Sequence, residues 1–133
     1  MTKVFTNGCY DILHRGHIEL FEYAKSLGDY LVVAIDSDAR VKTNKGPSRP
    51  LNSQSDREYV LRSLKSIDDV VVFDSDEELN NIIQNYCPSF MVVGSDWRGK
   101  NIIGSRHAKN VIFFERIDGY STTKIIQNLI NRR

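Results

Sequence analysis

Short apolar segments rich in β-branched residues alternate along this chain with segments of helical periodicity. This alternation is typical of parallel strands joined by crossover helices. Each apolar segment is continuous, as expected for a strand that is covered on both faces. The sequence therefore predicts one α/β domain of 133 residues, a three-layer sandwich with a five-stranded parallel sheet. The predicted strands are residues 3–6, 30–35, 70–73, 90–93 and 111–114.

Apolar residues spaced three and four apart predict helices between and after these strands. One helix starts near Gly16 and is stopped by Gly28. Capping-box sequences at residues 55–58 and 75–78 predict the starts of two more, and the stripe at residues 125–130 predicts the last.

Residues 37–53 lack both periodicities and are predicted to form a long irregular connection. Loops longer than about 12 residues in compact domains tend to be functional or mobile. This segment is therefore either a lid over a site or an exposed polar connection.

The overall charge restricts the possible partners. Lysine and arginine number 18 and aspartate and glutamate 17, which gives a formal net charge of +1. A dedicated nucleic-acid binder relies on a basic surface, so this class is disfavoured.

No apolar run approaches the roughly 20 residues that cross a bilayer, and the N-terminus lacks the apolar stretch of a signal peptide. We expect a cytoplasmic protein without membrane contact, in which Cys9 and Cys87 are buried free thiols.

The segment after the first strand has the character of an anion site. His14 and His17 are three residues apart with Gly16 between them, and they run into a predicted helix N-terminus. No third or fourth ligand lies at zinc spacing, so phosphate binding is favoured over metal binding. A pair of partly buried histidines that cap local carbonyls is the structural alternative.

The start of the last helix is similar, because Ser121, Thr122 and Thr123 precede Lys124. One hydroxyl would be explained by capping alone. Lys124 and Arg57 both fall in predicted first helical turns, where a cation opposes the macrodipole by a few tenths of a kcal/mol. An anion bound between them would reverse that cost.

The predicted fourth strand ends in Gly94, followed by Asp96 and Trp97. A tryptophan beside polar backbone can stack on a nucleotide base, although it could equally cover the rim of the core. In a parallel sheet, the carboxyl ends of all strands lie at the same edge, where ligands bind. This segment and the two described above are therefore expected at that edge.

These motifs together resemble the cytidylyltransferase-like nucleotidyltransferase superfamily, whose fold is Rossmann-like. The resemblance rests on HRGH at residues 14–17 and YSTT at residues 120–123. Four segments are similar to the adenylyltransferase domain that activates heptose 1-phosphate, namely TNGC at 6–9, SDARVK at 37–42, KG at 45–46 and SRPLN at 48–52. Three others are similar to glycerol-3-phosphate cytidylyltransferase, namely LGDYLVVAI at 27–35, GSDWRGK at 94–100 and RIDGYSTTKI at 116–125.

The resemblance implies a nucleotidyltransferase that serves cell-surface polysaccharide biosynthesis. A phosphorylated polyol or sugar, such as glycerol 3-phosphate, would attack the α-phosphorus of a nucleoside triphosphate and release pyrophosphate, with Mg²⁺ as cofactor. The segment expected around the base follows the cytidylyl pattern, which favours CTP. The alternatives are an ATP-dependent adenylyltransferase acting on a sugar 1-phosphate and, from another class, a nucleotide-binding module without turnover. Relatives of this size tend to be homodimers.

The resemblance also assigns roles to individual residues. The predicted catalytic residues are His14, His17, Lys45 and Arg57. The predicted acceptor-binding residues are Asp11, Lys42 and Arg49, and no protein metal site is predicted. The predicted nucleotide-binding residues are Asn7, Gly8, Cys9, Tyr10, Gly16, Gly94, Asp96, Trp97, Arg116, Tyr120, Ser121, Thr122 and Thr123.

Overall fold

Five parallel strands form one sheet in the order β3-β2-β1-β4-β5. The structure is a computed structural model that describes residues 1–115 and 122–131. The strands are β1 (Lys3–Gly8), β2 (Tyr30–Asp36), β3 (Asp69–Phe73), β4 (Phe90–Gly94) and β5 (Asn110–Phe114). The helices are α1 (Arg15–Ser26), α2 (Asp38–Lys45), α3 (Gln54–Arg62), α4 (Asp76–Tyr86) and α5 (Thr122–Asn131). All five predicted strands are confirmed, each extended by one or two residues.

Each face of the sheet is covered by its own apolar cluster, because successive side chains of a strand point to opposite faces. Val4 of β1 belongs to one cluster, together with Phe21 of α1 and Leu61 of α3. Its neighbour Phe5 belongs to the other, together with Ile83 of α4. The helices therefore lie on both faces, and the predicted three-layer α/β sandwich is confirmed.

Helix starts follow local capping more closely than they follow apolar stripes. Ser75 caps α4 as predicted, since its hydroxyl accepts a hydrogen bond from the Glu78 amide at 3.1 Å. The capping box predicted at residues 55–58 is wrong: Ser53 caps α3 by accepting from the Asp56 amide at 3.2 Å, so this helix begins two residues earlier. The predicted stop of α1 at Gly28 has a steric basis as well. A Cβ on Gly28 would lie 2.6 Å from the Thr2 carbonyl oxygen, so only glycine fits there.

The prediction of an irregular segment over residues 37–53 is wrong in its first half. Residues 38–45 form α2, which Ser37 caps through a hydrogen bond from the Arg40 amide. Val41 is the single buried residue of this helix, so the sequence shows no apolar stripe. Irregular backbone is limited to residues 46–53.

The two cysteines differ from the predicted buried pair. Cys87 is exposed, and Cys9 is only partly buried. No helix within residues 1–115 or 122–131 combines the length and apolar character needed to cross a membrane.

The strand order places a topological switch point between β1 and β4. The chain leaves β1 toward β2 on one side, whereas β4 continues to β5 on the other. In open parallel sheets, ligands bind outside the carboxyl ends of the strands at such a point. The segments that follow β1 and β4 are therefore brought together, as the sequence predicts.

Candidate active site

A cavity of about 420 Å³ opens at the carboxyl ends of β1, β2 and β4. Its volume falls within the range of small-molecule sites, roughly 300–1,000 Å³. Within the described part of the chain, twelve predicted site residues line it: Asn7, Gly8, Cys9, Tyr10, Asp11, His14, Gly16, His17, Lys45, Arg49, Gly94 and Trp97. The apolar part of the wall comprises Leu20, Phe73, Leu79, Val93, Ile102, Ile103 and Phe114.

His14 and His17 form the N-terminal cap of α1. The His14 Nδ1 accepts a hydrogen bond from the Gly16 amide at 3.1 Å, and the His17 Nδ1 accepts one from the His14 amide at 3.4 Å. Their rings stack with centroids 3.8 Å apart and an interplanar angle of 22°. Because both Nδ1 atoms accept, each neutral ring carries its proton on Nε2. The two Nε2 groups are thus donors suited to an anion.

The ring of Tyr10 supports this histidine pair from the core side. It meets His17 edge-on at 5.2 Å between centroids and packs against Phe21 at 5.0 Å. A Cβ on Gly8 would lie 2.9 Å from the Tyr10 ring, so glycine is required for the ring to lie against the end of β1. The histidine rings therefore have a rigid base.

Asp11 connects the loop after β1 to the segment before α3. Its buried carboxylate accepts hydrogen bonds from Arg49 Nε at 3.0 Å and from the amides of Leu51 and Asn52 at 2.8 Å. Burial alone would raise the pKa of Asp11, but the hydrogen bonds from Asn52, Leu51 and Arg49 outweigh it and lower the pKa. The ionised carboxylate fixes Arg49 at the cavity.

A second charged group lies where β2 ends. Arg40 donates from Nε to Asp36 Oδ1 at 2.8 Å and from Nη2 to Asp76 Oδ1 at 2.5 Å. Its guanidinium carbon lies 5.2 Å from the centroid of the Phe73 ring. Burial would lower the pKa of Arg40, but the bonds to Asp76 and Asp36 raise it, so the group stays charged. Asp36, Arg40 and Asn44 line the cavity.

Comparison with known proteins shows which family this chain belongs to. A family model described as cytidylyltransferase-like matches residues 5–128. This chain belongs to the cytidylyltransferase-like family. The bifunctional protein HldE of Campylobacter fetus subsp. fetus is 48% identical over 128 residues, which cover 96% of this chain and 28% of that protein. The bifunctional protein HldE of Helicobacter pylori (strain Shi470) is 48% identical over 126 residues, covering 95% of this chain and 27% of that protein. The chain thus spans less than a third of the length of these relatives.

Solved structures agree on the fold of this cytidylyltransferase-like chain. A lipopolysaccharide core biosynthesis protein from Thermoplasma volcanium superposes with a TM-score of 0.68 at 24% identity, covering 91% of this chain and 99% of that one. A protein of unknown function from Archaeoglobus fulgidus superposes with a TM-score of 0.64 at 18% identity, covering 92% and 96%. The Rossmann-like architecture is confirmed.

Arg57 occupies a different place in this cytidylyltransferase-like domain from the one predicted. It does not line the cavity, and its side chain is fully buried. It donates to the carbonyls of Asn52, Cys9 and Asp36 at 3.0, 2.9 and 2.8 Å, and to Asp38 Oδ1 at 2.9 Å. The structure gives Arg57 a positioning role, in which it ties the ends of β1 and β2 to α2 and α3, in place of the predicted phosphate contact.

The other predicted residues divide between the cavity, the surface and the part of the chain outside the description. Lys45 and Lys42 both lie on the last turn of α2, and only Lys45 lines the cavity. Asp96 is exposed and lies outside the lining. Outside the described residues lie Arg116, Tyr120 and Ser121 and the side chains of Thr122 and Thr123.

Sequence reasoning missed Asp36, Arg40 and Asn44. Asp36 is the last residue of β2 and Arg40 lies in the first turn of α2, so their ion pair joins the strand to the helix across the Ser37 cap. This pairing could be predicted only if α2 were predicted first, and residues 37–53 lack helical periodicity.

Cys9 lines the cavity but lacks the properties of a nucleophile. Burial raises the pKa of its thiol and outweighs the opposing effect of Arg57 and Lys45. The thiol is therefore protonated at neutral pH, whereas a nucleophilic cysteine must ionise.

Proposed function

We propose that this chain transfers a nucleoside monophosphate from a nucleoside triphosphate to a phosphorylated sugar and releases pyrophosphate. The observation that carries the proposal is the convergence of four groups on one cavity: His14, His17, Lys45 and Arg49. Membership of the cytidylyltransferase-like family supports the same reaction.

In this reaction an oxygen of the acceptor phosphate forms a bond to the α-phosphorus. The bond from the α-phosphorus to the bridging oxygen breaks, and its electron pair leaves with pyrophosphate. Negative charge on the triphosphate grows at the positions that the Nε2 donors of His14 and His17 and the Lys45 ammonium would face. Donors fixed in advance stabilise such charge without reorganising, which is the largest contribution in many transfer reactions.

For the nucleotide and the acceptor we propose ATP and a sugar 1-phosphate of the heptose 1-phosphate type. The relatives that match this chain at 48% identity are HldE proteins, and four segments of its first half resemble the domain that adenylylates heptose 1-phosphate. CTP with glycerol 3-phosphate is the second candidate, because residues 94–100 resemble the cytidylyl pattern. The relatives therefore favour the ATP-dependent adenylyltransferase over the CTP-dependent enzyme that the sequence alone predicts. The product would be a nucleotide-activated sugar for surface polysaccharide.

Mg²⁺ remains part of the proposal as a companion of the triphosphate. Within residues 1–115 and 122–131, no group of three or more His, Cys, Asp or Glu side chains is arranged to hold a metal ion. Mg²⁺ commonly binds through substrate phosphates and retains several waters. The homodimer also remains a prediction, and light scattering tests it by asking whether the mass is twice 15.3 kDa.

The deciding experiment measures pyrophosphate release with Mg²⁺, ATP or CTP, and either heptose 1-phosphate or glycerol 3-phosphate. We expect release with ATP and heptose 1-phosphate. Release only with CTP and glycerol 3-phosphate would select the second candidate. If no pair gives pyrophosphate although ATP or CTP raises the melting temperature, the chain is a nucleotide-binding module without turnover.

A further inference from the structure

The cavity is chemically asymmetric. One set of lining groups comprises the imidazoles of His14 and His17 together with Lys45 and with Arg49, whose charge is balanced by Asp11. The other set is the Asp36–Arg40 corner, which we define as the lining residues Asp36 and Arg40 beside Phe73, with Asp76 paired to Arg40 outside the lining. One guanidinium faces two carboxylates in this corner, so its formal charge is 1 − 2 = −1. The corner therefore disfavours a phosphate.

Some donor and acceptor atoms of the same corner have no hydrogen-bond partner among the described residues. Arg40 uses Nε and Nη2 for its two ion pairs, and Nη1 makes no hydrogen bond within the described part of the chain. Asp36 accepts through Oδ1, whereas Oδ2 has no donor among the described residues. Both side chains are about one-fifth exposed and both line the cavity. A pair of N–H donors thus stands beside a carboxylate acceptor.

A donor beside an acceptor matches a hydroxyl group, which both donates and accepts. An arginine held by two carboxylates is also restricted in its rotamers, so a ligand that bonds to it loses little further side-chain entropy. A polyhydroxylated group fits this chemistry, and an anion does not.

We propose that the Asp36–Arg40 corner binds the hydroxyl groups of the acceptor and so directs its phosphate toward His14 and His17. This inference rests on the proposed transferase function and deepens it, because it assigns the subsite that recognises the acceptor. A site built to bond hydroxyls rejects an analogue that lacks them, since its own polar groups are then left unpaired. The enzyme should therefore discriminate a phosphorylated sugar from a simple alkyl phosphate.

The main test replaces Asp36 by asparagine. In Asp36→Asn the amide oxygen can still accept from Arg40 Nε, while an N–H₂ donor replaces the free carboxylate oxygen. The acceptor used is whichever of heptose 1-phosphate and glycerol 3-phosphate the wild type turns over with the higher kcat/KM. For that acceptor we expect kcat/KM to fall about 10- to 100-fold through a higher acceptor KM, the effect of losing a hydrogen bond to a charged group. For ethyl phosphate as acceptor, and for the KM of the nucleotide, we expect no change.

The matched control is Arg62→Lys. Arg62 also joins two carboxylates, Glu58 and Asp69, both at 2.9 Å, but it lies outside the cavity. Arg40→Lys keeps the charge and loses the fork of donors, so it should reduce discrimination between the hydroxylated acceptor and ethyl phosphate. Arg62→Lys should leave that ratio at the wild-type value. An equal loss with both acceptors in Asp36→Asn, or no loss at all, would overturn the inference.

Calorimetric titration of heptose 1-phosphate and glycerol 3-phosphate into the protein separates this inference from the proposed function. If the wild type binds an acceptor that Asp36→Asn binds at least 10-fold more weakly, the subsite stands even where no pyrophosphate is released. Equal binding by the two proteins, or no binding of either acceptor to the wild type, rejects the subsite.

Discussion

The two sides of the cavity are held in different ways. On the side of β1 and β2, buried charges fix the backbone, since the Asp11 carboxylate accepts three hydrogen bonds and the Arg57 guanidinium donates four. On the side of β4, residues 96–100 are exposed, and the backbone bonds there are local turns such as Lys100 to Trp97 at 3.1 Å. The first side is set before any substrate arrives. The second presents exposed side chains whose replacement should leave the fold intact.

The largest effect is expected where the buried side is broken outright. Arg57→Met would remove the guanidinium donor from three carbonyls and from Asp38 Oδ1, which keeps its bond from the Gln54 amide, and breaking a buried charged contact costs about 3–5 kcal/mol. Urea unfolding measures this loss. Arg62→Met is the control, because its two ion pairs are partly exposed and should contribute no more than about 1 kcal/mol. Equal stability of the two variants would show that Arg57 does not anchor the site.

His17→Ala tests whether the rigid side also supplies the chemistry. Turnover should fall at least about 100-fold, the cost of one lost transition-state donor. The measurement is pyrophosphate release at saturating substrates. The third histidine, His107, lies outside the cavity, so His107→Ala should retain wild-type turnover. Turnover by His17→Ala at the wild-type rate would remove His17 from the mechanism.

Asp11 should make the buried side sensitive to acid. Its folded pKa is lowered below the ordinary value of 3.8, so its stabilisation is fully present above that pH and is lost as the pH falls through the folded pKa. Asp11→Asn should cost about 1–3 kcal/mol at neutral pH, because an N–H₂ donor replaces one of the two oxygens that accept from Arg49 and from the amides of Leu51 and Asn52. Unfolding curves from pH 7 to pH 2 should converge for wild type and variant. Parallel curves would show that another group controls the acid transition.

The smallest effect is expected on the exposed side. Trp97 is 44% exposed and lines the cavity, with the Lys100 ammonium 5.8 Å from its ring centroid. Trp97→Ala should raise the KM of the nucleotide about 2- to 10-fold, the equivalent of losing roughly 0.5–1.5 kcal/mol of aromatic stacking. The melting temperature should not change. A fall in melting temperature without an effect on KM would make Trp97 a cover for the core.

The contrast between the two sides also explains how far the sequence could be interpreted. The strands were predictable because each is a continuous apolar run, and the meeting of His14 and His17 followed from their spacing. Helix α2 was not predictable, because its single buried residue, Val41, gives no periodic apolar pattern. Arg57 was predicted to contact phosphate because a sequence shows that a residue is charged but not that it is buried. The partners of Asp11 lie about 40 residues away in the chain, which no local pattern reveals.

The histidine cap has a consequence for how the enzyme can operate. Adding a second proton to either imidazole would require Nδ1 to give up its backbone amide, and the first turn of α1 would keep only its backbone bonds, such as His17 N–H to the His14 carbonyl at 3.0 Å. The two rings are thus suited to work as fixed donors throughout the catalytic cycle and are poorly suited to shuttle protons.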